Sequence, residues 1–235
     1  MKNLVIFGLF IICLVAAQVS FAQTTDEIVE KYIDALGGKD NMNALQTVQM
    51  SGSMSVQSAD VALVITRKHM VGARTDISVM GTENYQIVTP EKSWSFMPIQ
   101  GQSSPEEVSA EQHNAMVTQL DVQGSLVNYK EKGSSVEYKG KETVDGAECY
   151  KLVLTYKTGK VANYFIDTKT NRLIKSSSKM VVNGEEMENA TSFSNFKQNA
   201  DGYWFPYTQI SSRGELSIDT VETNIKVDDA IFKVN

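Results

Sequence analysis

The 235-residue chain has only two cysteines, two histidines and four prolines. Two cysteines cannot staple a disulfide scaffold, and together with two histidines they are a thin stock for a metal centre, which needs three or four ligands. Positive charge is also short: 22 Lys and Arg stand against 28 Asp and Glu, for a net charge of −6. Binding nucleic acid requires clustered Lys and Arg to neutralise phosphates, so that class of partner is excluded. There is no Gly-x-Ser-x-Gly elbow, no His-Glu-x-x-His helix and no Gly-rich phosphate loop. No repeat, heptad or Pro/Gly-rich linker divides the chain, which reads as one domain. What is there is ordinary globular composition, 42% hydrophobic and 21% charged.

The longest apolar run, Leu4 to Ala17, is 14 residues, short of the roughly 20 that span a bilayer as a helix. Met1-Lys2-Asn3 precedes it and Ser20-Phe21-Ala22 follows, with small residues at the −3 and −1 positions of a cut after Ala22. This is the pattern of a secretory signal peptide over residues 1–22. Ile12, before Cys13, is not the small residue that lipoprotein cleavage needs. Removing 22 residues, one Lys among them, leaves 213 residues and takes the charge from −6 to −7. Cys149 is then the one remaining cysteine, so an exported chain must be held by its core rather than by a disulfide.

Thr24-Thr25-Asp26-Glu27 is a helix start with a capping pattern, and Ile28, Val29, Tyr32, Ile33 and Leu36 form one apolar stripe ending at Gly37-Gly38. The period then changes to two. Val48, Met50, Met54 and Val56 alternate with polar residues. Ala59 to His69 is apolar on both faces, with Val61, Leu63 and Ile65 on one and Ala62 and Val64 on the other. Arg74–Met80, Tyr85–Thr89 and Ser93–Met97 follow as strands. Ser104-Pro105-Glu106-Glu107 predicts a helix from Pro105 to Leu120, with a thin, half-polar stripe that docks weakly. From Ser134 onward a meander is expected, with Asn183-Gly184 its strongest hairpin signal and a last strand over Glu215 to Val227. About a dozen short-turned strands imply an antiparallel sheet.

Chemistry-bearing groups are scarce. His69 and His113 are 44 residues apart and read as unpaired surface or helix-face side chains. The carboxylate pairs Glu185-Glu186 and Asp228-Asp229 fall in or beside turns, where carboxylates are usually solvated. Ten Met residues are many, and Met50, Met54, Met70, Met80, Met97 and Met116 fall between the first strands and the thin helix. Met suits surfaces that accept variable apolar partners, although each alone is ordinary core filling. A curved sheet with that helix as a lid would enclose an apolar cavity.

Several segments resemble the LolA-like family of periplasmic lipoprotein carriers and outer-membrane lipoprotein-sorting proteins. They are Tyr32-Ile33-Asp34-Ala35-Leu36-Gly37-Gly38-Lys39, the Trp-x-aromatic stretch Thr89 to Pro98, Gly140 to Gly146, and Tyr164 to Asn171. The resemblance covers nearly the whole chain after the signal peptide. It implies an α+β fold: one strongly curved antiparallel sheet, an incomplete barrel, with an N-terminal helix and a lid-like helical segment over residues 23–235. It implies that Arg67 bonds the lid, although Lys68 stands where the family usually has Pro; as a strand-end charge Arg67 would equally snorkel. It also implies that Trp94 and Phe96 line the cavity, although strand aromatics are often plain core.

The expected ligand-binding set is therefore Val61, Leu63, Ile65, Arg67, Trp94, Phe96, Met97 and Met116. The expected function is a monomeric, non-enzymatic periplasmic carrier of lipoprotein acyl chains or other lipid, without cofactor or metal, with sorting partners at the inner and outer membranes. The alternative is a cell-envelope structural or interaction module with a filled core. A carrier of this kind predicts that Leu63→Glu abolishes acyl-probe binding and leaves the fold largely intact.

Overall fold

The computed structural model describes residues 24–56, 59–182 and 185–234. The expected signal peptide and the Asn183-Gly184 turn lie outside the described residues.

Helix α1 (Thr25–Leu36) starts where its caps place it. Glu27 N–H donates to Thr24 Oγ1 at 3.2 Å, and Thr24 N–H donates to the Glu27 carboxylate at 3.0 Å. Ile28, Val29, Tyr32 and Ile33 are buried, as the stripe requires. Gly37 ends the helix at φ 127°, and a Cβ there would lie 2.9 Å from the Gly202 carbonyl oxygen. A short helix α2 (Lys39–Ala44) follows.

Six strands form a first meander: β1 (Thr47–Val56), β2 (Ala59–Lys68), β3 (Gly72–Val79), β4 (Thr82–Val88), β5 (Ser93–Phe96) and β6 (Glu106–Glu107). Seven more form a second: β7 (Ser135–Val144), β8 (Ala147–Thr155), β9 (Val161–Asp167), β10 (Leu173–Val182), β11 (Glu185–Gln198), β12 (Trp204–Ser211) and β13 (Gly214–Thr223). All belong to one antiparallel sheet, in the order β6-β5-β4-β3-β2-β1-β13-β12-β11-β10-β9-β8-β7. Among the described residues, strands of the two meanders pair with each other at β1–β13, where Val48 opposes Thr223 and Met54 opposes Leu216. The sheet is not closed, and the architecture is an open half-barrel of the α+β class.

Directly opposed residues of an antiparallel pair share a face, so the registers assign each side chain. The inner face carries Val48, Met50 and Met54 of β1, Val61, Leu63 and Ile65 of β2, Leu216, Ile218 and Val221 of β13, and Tyr150, Leu152 and Leu154 of β8. These residues join one hydrophobic cluster with the α1 stripe and with Leu126, Val127 and Tyr129 of the segment before β7. A smaller outer-face cluster holds Val144, Phe165 and the free thiol of Cys149. Ala62 and Val64 are exposed on the outer face of β2.

Two expectations are corrected. The helix expected over Pro105 to Leu120 is replaced by three elements. Glu106 and Glu107 pair with Ser95 and Trp94 as edge strand β6. Helix α3 (Ala110–Met116) begins only after Ser109, which forms its own capping box with Gln112, and a 3₁₀ turn covers Val117–Leu120. The last strand stops at Thr223 rather than Val227. Asn224, at φ 54°, turns the chain and accepts a hydrogen bond from Gln46 N–H at 2.8 Å. The tail then crosses to the outer face of β3, where Phe232 packs on Gly72 and the Ile231 carbonyl accepts from Arg74.

Candidate functional site

Four of the expected residues form a row. Val61, Leu63, Ile65 and Arg67 alternate along the inner face of β2, opposite Val79, Ile77, Thr75 and Ala73 of β3. Val61 and Leu63 are each 8% exposed and belong to the packed core, whereas Ile65, Ile77, Val79 and Met54 are half-buried against it. Met116, the last residue of α3, packs with Val117 on Ala73, Val88 and Leu120 at the lid end of the same face.

The other expected residues lie elsewhere. Trp94 and Phe96 oppose Ile87 and Tyr85, which oppose Arg74 and Asp76. That register puts both aromatics on the outer face and leaves Ser93 and Ser95 pointing inward. Phe96 packs against Tyr85 at 5.4 Å between ring centroids, and the Arg74 guanidinium sits 4.5 Å over the Tyr85 ring. Met97 falls beyond β5 in a turn, where its N–H donates to Gln102 Oε1 at 2.6 Å. Of the other methionines, Met70 and Met80 are exposed at left-handed turn positions, so the Met-rich half does not converge on one cavity.

The lid is lightly attached. No residue of α3 is buried, and its anchors are a 2.8 Å hydrogen bond between Ser93 Oγ and His113 Nδ1 and the Met116 contact. The 3₁₀ turn is fixed more firmly, with Leu120 fully buried and its carbonyl accepting from Met70 N–H at 2.9 Å. His113 is thus paired, against expectation. His69 also has a neighbour: its Nδ1 lies 3.8 Å from Asp121 Oδ1, with neither atom hydrogen-bonded among the described residues. The other Asp121 oxygen accepts from Lys132 at 2.7 Å. Burial lowers the His69 pKa, Asp121 opposing and Lys132 adding to that effect. The unfolded chain therefore takes up this proton first as pH falls below about 6.5. Stability that is complete above that pH is lost as pH falls toward the folded-state pKa. Melting temperatures between pH 8 and 5.5 should show this decline, and His69→Asn should flatten it; equal slopes would contradict it.

Two features of the inner face had no sequence signal. Tyr156 Oη donates to Ser125 Oγ at 3.1 Å and lies 3.2 Å from Tyr164 Oη, and burial raises the pKa of Tyr164 and of Tyr32 on α1. These hydroxyls come from elements far apart in the chain. The second is the isolation of Arg67. Its Nε is buried without a hydrogen-bond partner, burial lowers its pKa, and it makes no bond to the lid or to any other described residue. The expected lid bond from Arg67 is absent among the described residues.

Two grooves of about 340 and 380 Å³ lie on the outer face, around Lys151, Asn163, Lys175, Ser177 and Glu188; none of the eight expected residues lines them. Among the described residues no group of three His, Cys, Asp or Glu side chains is arranged to hold a metal, and no helix is long and apolar enough to cross a membrane.

No family model matches the chain, and no curated protein matches it. Solved structures do. A LolA superfamily protein from Nitrosomonas europaea is 17% identical, with 89% of this chain and 97% of that one covered and a TM-score of 0.55. A DUF1329 family protein from Desulfovibrio piger is 14% identical, with 90% and 98% covered and a TM-score of 0.57. A protein from Vibrio parahaemolyticus described as an outer membrane lipoprotein-sorting protein domain is 13% identical, with 88% and 94% covered and a TM-score of 0.52. At these identities the likeness speaks to architecture, and with the open thirteen-stranded sheet and its inner-face helices it gives this chain a LolA-like fold.

Proposed function

We propose that the chain is a non-enzymatic carrier that shields acyl chains, of lipoproteins or of other lipid, on the inner face of its half-barrel. Export to the periplasm by a signal peptide cut after Ala22, a monomeric state and sorting partners at the two membranes belong to the same proposal. The observation that carries it is the continuation of the β2 row beyond the packed core. Met54, Ile65, Ile77 and Val79 are apolar, half-buried and on the inner face, and the lid's helix, at the Ala73 and Val88 end of that face, has no buried residue. Each CH₂ removed from water there is worth about 0.8 kcal/mol, so shielding a long chain needs no catalytic group.

Ile77→Glu tests this. Ile77 is half-buried, so the variant should fold, and a carboxylate beside the acyl path should weaken binding of a fluorescent fatty acid about tenfold or more. Binding equal to the parent's would sink the proposal. A second reading, an envelope interaction module with a filled core, is favoured by one observation: Val61 and Leu63 already pack in the same cluster as α1. Under that reading neither protein binds the probe.

A further inference from the structure

We infer that Arg67 receives the anionic head group of the acyl ligand, so that the cargo class is an amphiphile ending in a carboxylate or a phosphate. This rests on the carrier proposal and narrows it.

Arg67 is the last member of the inner-face row, and its register neighbours are apolar and buried, Val48 on β1 and Ala73 on β3. Its guanidinium has no ion pair, and its Nε is inside the protein without a hydrogen-bond partner among the described residues. The acids on neighbouring elements are engaged elsewhere: Asp76 with Arg74, Asp121 with Lys132, and Asp229 with Lys68. Arg67 is half-buried and Nε is the one guanidinium nitrogen enclosed without a partner; the outer end of the fork reaches solvent, as in a snorkelling side chain, and is left free to meet an incoming group.

Two other arginines show how this chain ordinarily satisfies the group. Arg74 donates to Asp76 at 2.8 Å and to the Ile231 carbonyl at 3.1 Å. Arg172, whose Nε is also buried and unbonded, lies 3.8 Å over the Trp204 ring. Arg67 has neither a carboxylate nor a ring. A half-buried cation without a counter-charge is only partly compensated by solvent, and the chain retains it. An incoming carboxylate or phosphate would offset that cost with charge-assisted, forked hydrogen bonds.

The position suits an amphiphile. Arg67 is six residues from Val61 along β2, about 20 Å at the strand rise, with Ile65 and Leu63 between them on the same face. A head group at Arg67 places the start of its chain on Ile65, the half-buried member of the row, with half-buried Ile77 on the next strand.

The test compares laurate, dodecyl phosphate and 1-dodecanol, which share one chain, and adds inorganic phosphate alone. The parent should bind both anions about tenfold or more tighter than dodecanol, since hydrogen bonds to charged groups are the stronger kind. Arg67→Gln should abolish that preference and leave dodecanol binding within about twofold. Inorganic phosphate alone should not raise the melting temperature. The inference is overturned if the parent binds dodecanol as tightly as the anions, if Arg67→Gln weakens all three alike, or if inorganic phosphate stabilises as much as dodecyl phosphate. A parent that binds none of the three overturns the carrier proposal itself. Should Arg67→Gln not fold, the parent's preference for the anions decides alone.

Discussion

Gly52→Ala is expected to cost about 3 kcal/mol or more of folding stability, enough to unfold an ordinary domain of marginal stability at physiological temperature. Gly52 is buried in β1 and opposes Leu63 on one side and Ile218 on the other, beside a register shift between Ser51 and Gly52. A Cβ there would lie 2.2 Å from the Ser217 carbonyl oxygen and 3.0 Å from the Ile218 Cα. Both are backbone atoms of a paired strand, so relief would require moving β13. That pairing, among the described residues, is the seam between the strands of the two meanders, and it joins residues as far apart in sequence as Val48 and Thr223. Damage there therefore breaks the pairing at the middle of the sheet, above the core that both meanders share, instead of loosening an edge. Gly81 is the control: its φ of 79° disfavours a side chain, but a Cβ would meet nothing within 4 Å, so Gly81→Ala should cost only about 1 kcal/mol. Denaturation midpoints check both. A Gly52→Ala protein within 1 kcal/mol of the parent would mean that the seam can open by a substantial fraction of an ångström at little cost.

Leu63→Glu is the second large effect, and the structure reverses what the sequence predicts for it. On sequence alone the substitution removes ligand binding and spares the fold. Leu63 instead sits in the main core with α1, 8% exposed and with no described basic side chain opposite it. Losing the apolar side chain and burying a carboxyl should together cost about 4 kcal/mol or more. The penalty depends on pH. Burial raises the introduced carboxyl's folded-state pKa above its unfolded value of about 4.3, so the folded form holds the proton longer. Stability of the variant is then greatest below that unfolded value and falls as pH rises through it. Melting curves at pH 4 and pH 8 test this: the variant should lose stability relative to the parent on going to pH 8. A variant as stable as the parent at pH 8 would place Leu63 in open space and restore the original expectation. Ile77→Glu, one strand over and half-buried, isolates binding from folding.

What could be read from the sequence was what local chemistry decides. Helix α1 falls where Thr24, Glu27 and the Ile28–Ile33 stripe place it, and β2 runs over Ala59–Lys68, within the Ala59 to His69 stretch that is apolar on both faces. The second helix went astray because two capping patterns stand five residues apart. Ser104 with Glu107 and Ser109 with Gln112 are locally equivalent, and the choice is made by Ser95 and Trp94, which take Glu106 and Glu107 into the sheet. The longest strand, β11, was hidden because its first half carries Glu185, Glu186, Glu188 and Asn189 in place of an apolar alternation.

The candidate site was legible in part for the same reason. Alternation shows that Val61, Leu63, Ile65 and Arg67 share a face, and likewise Trp94 and Phe96. It does not say that the two sets face opposite ways, which follows from the registers through β3 and β4. Nor can spacing show that Arg67 is without a partner, since that depends on Asp76, Asp121 and Asp229 each being taken by another cation.

The central claim is that the inner face holds an acyl ligand. It is tested most directly by a native mass spectrum of the full-length gene product purified from the cell envelope without detergent, repeated after adding laurate. The expected spectrum shows a polypeptide beginning at Gln23, accompanied by a non-covalent adduct of lipid mass that is retained at low collision energy and displaced by excess laurate. A bare polypeptide mass that stays bare after laurate is added would contradict it and leave a filled half-barrel as the description of this protein.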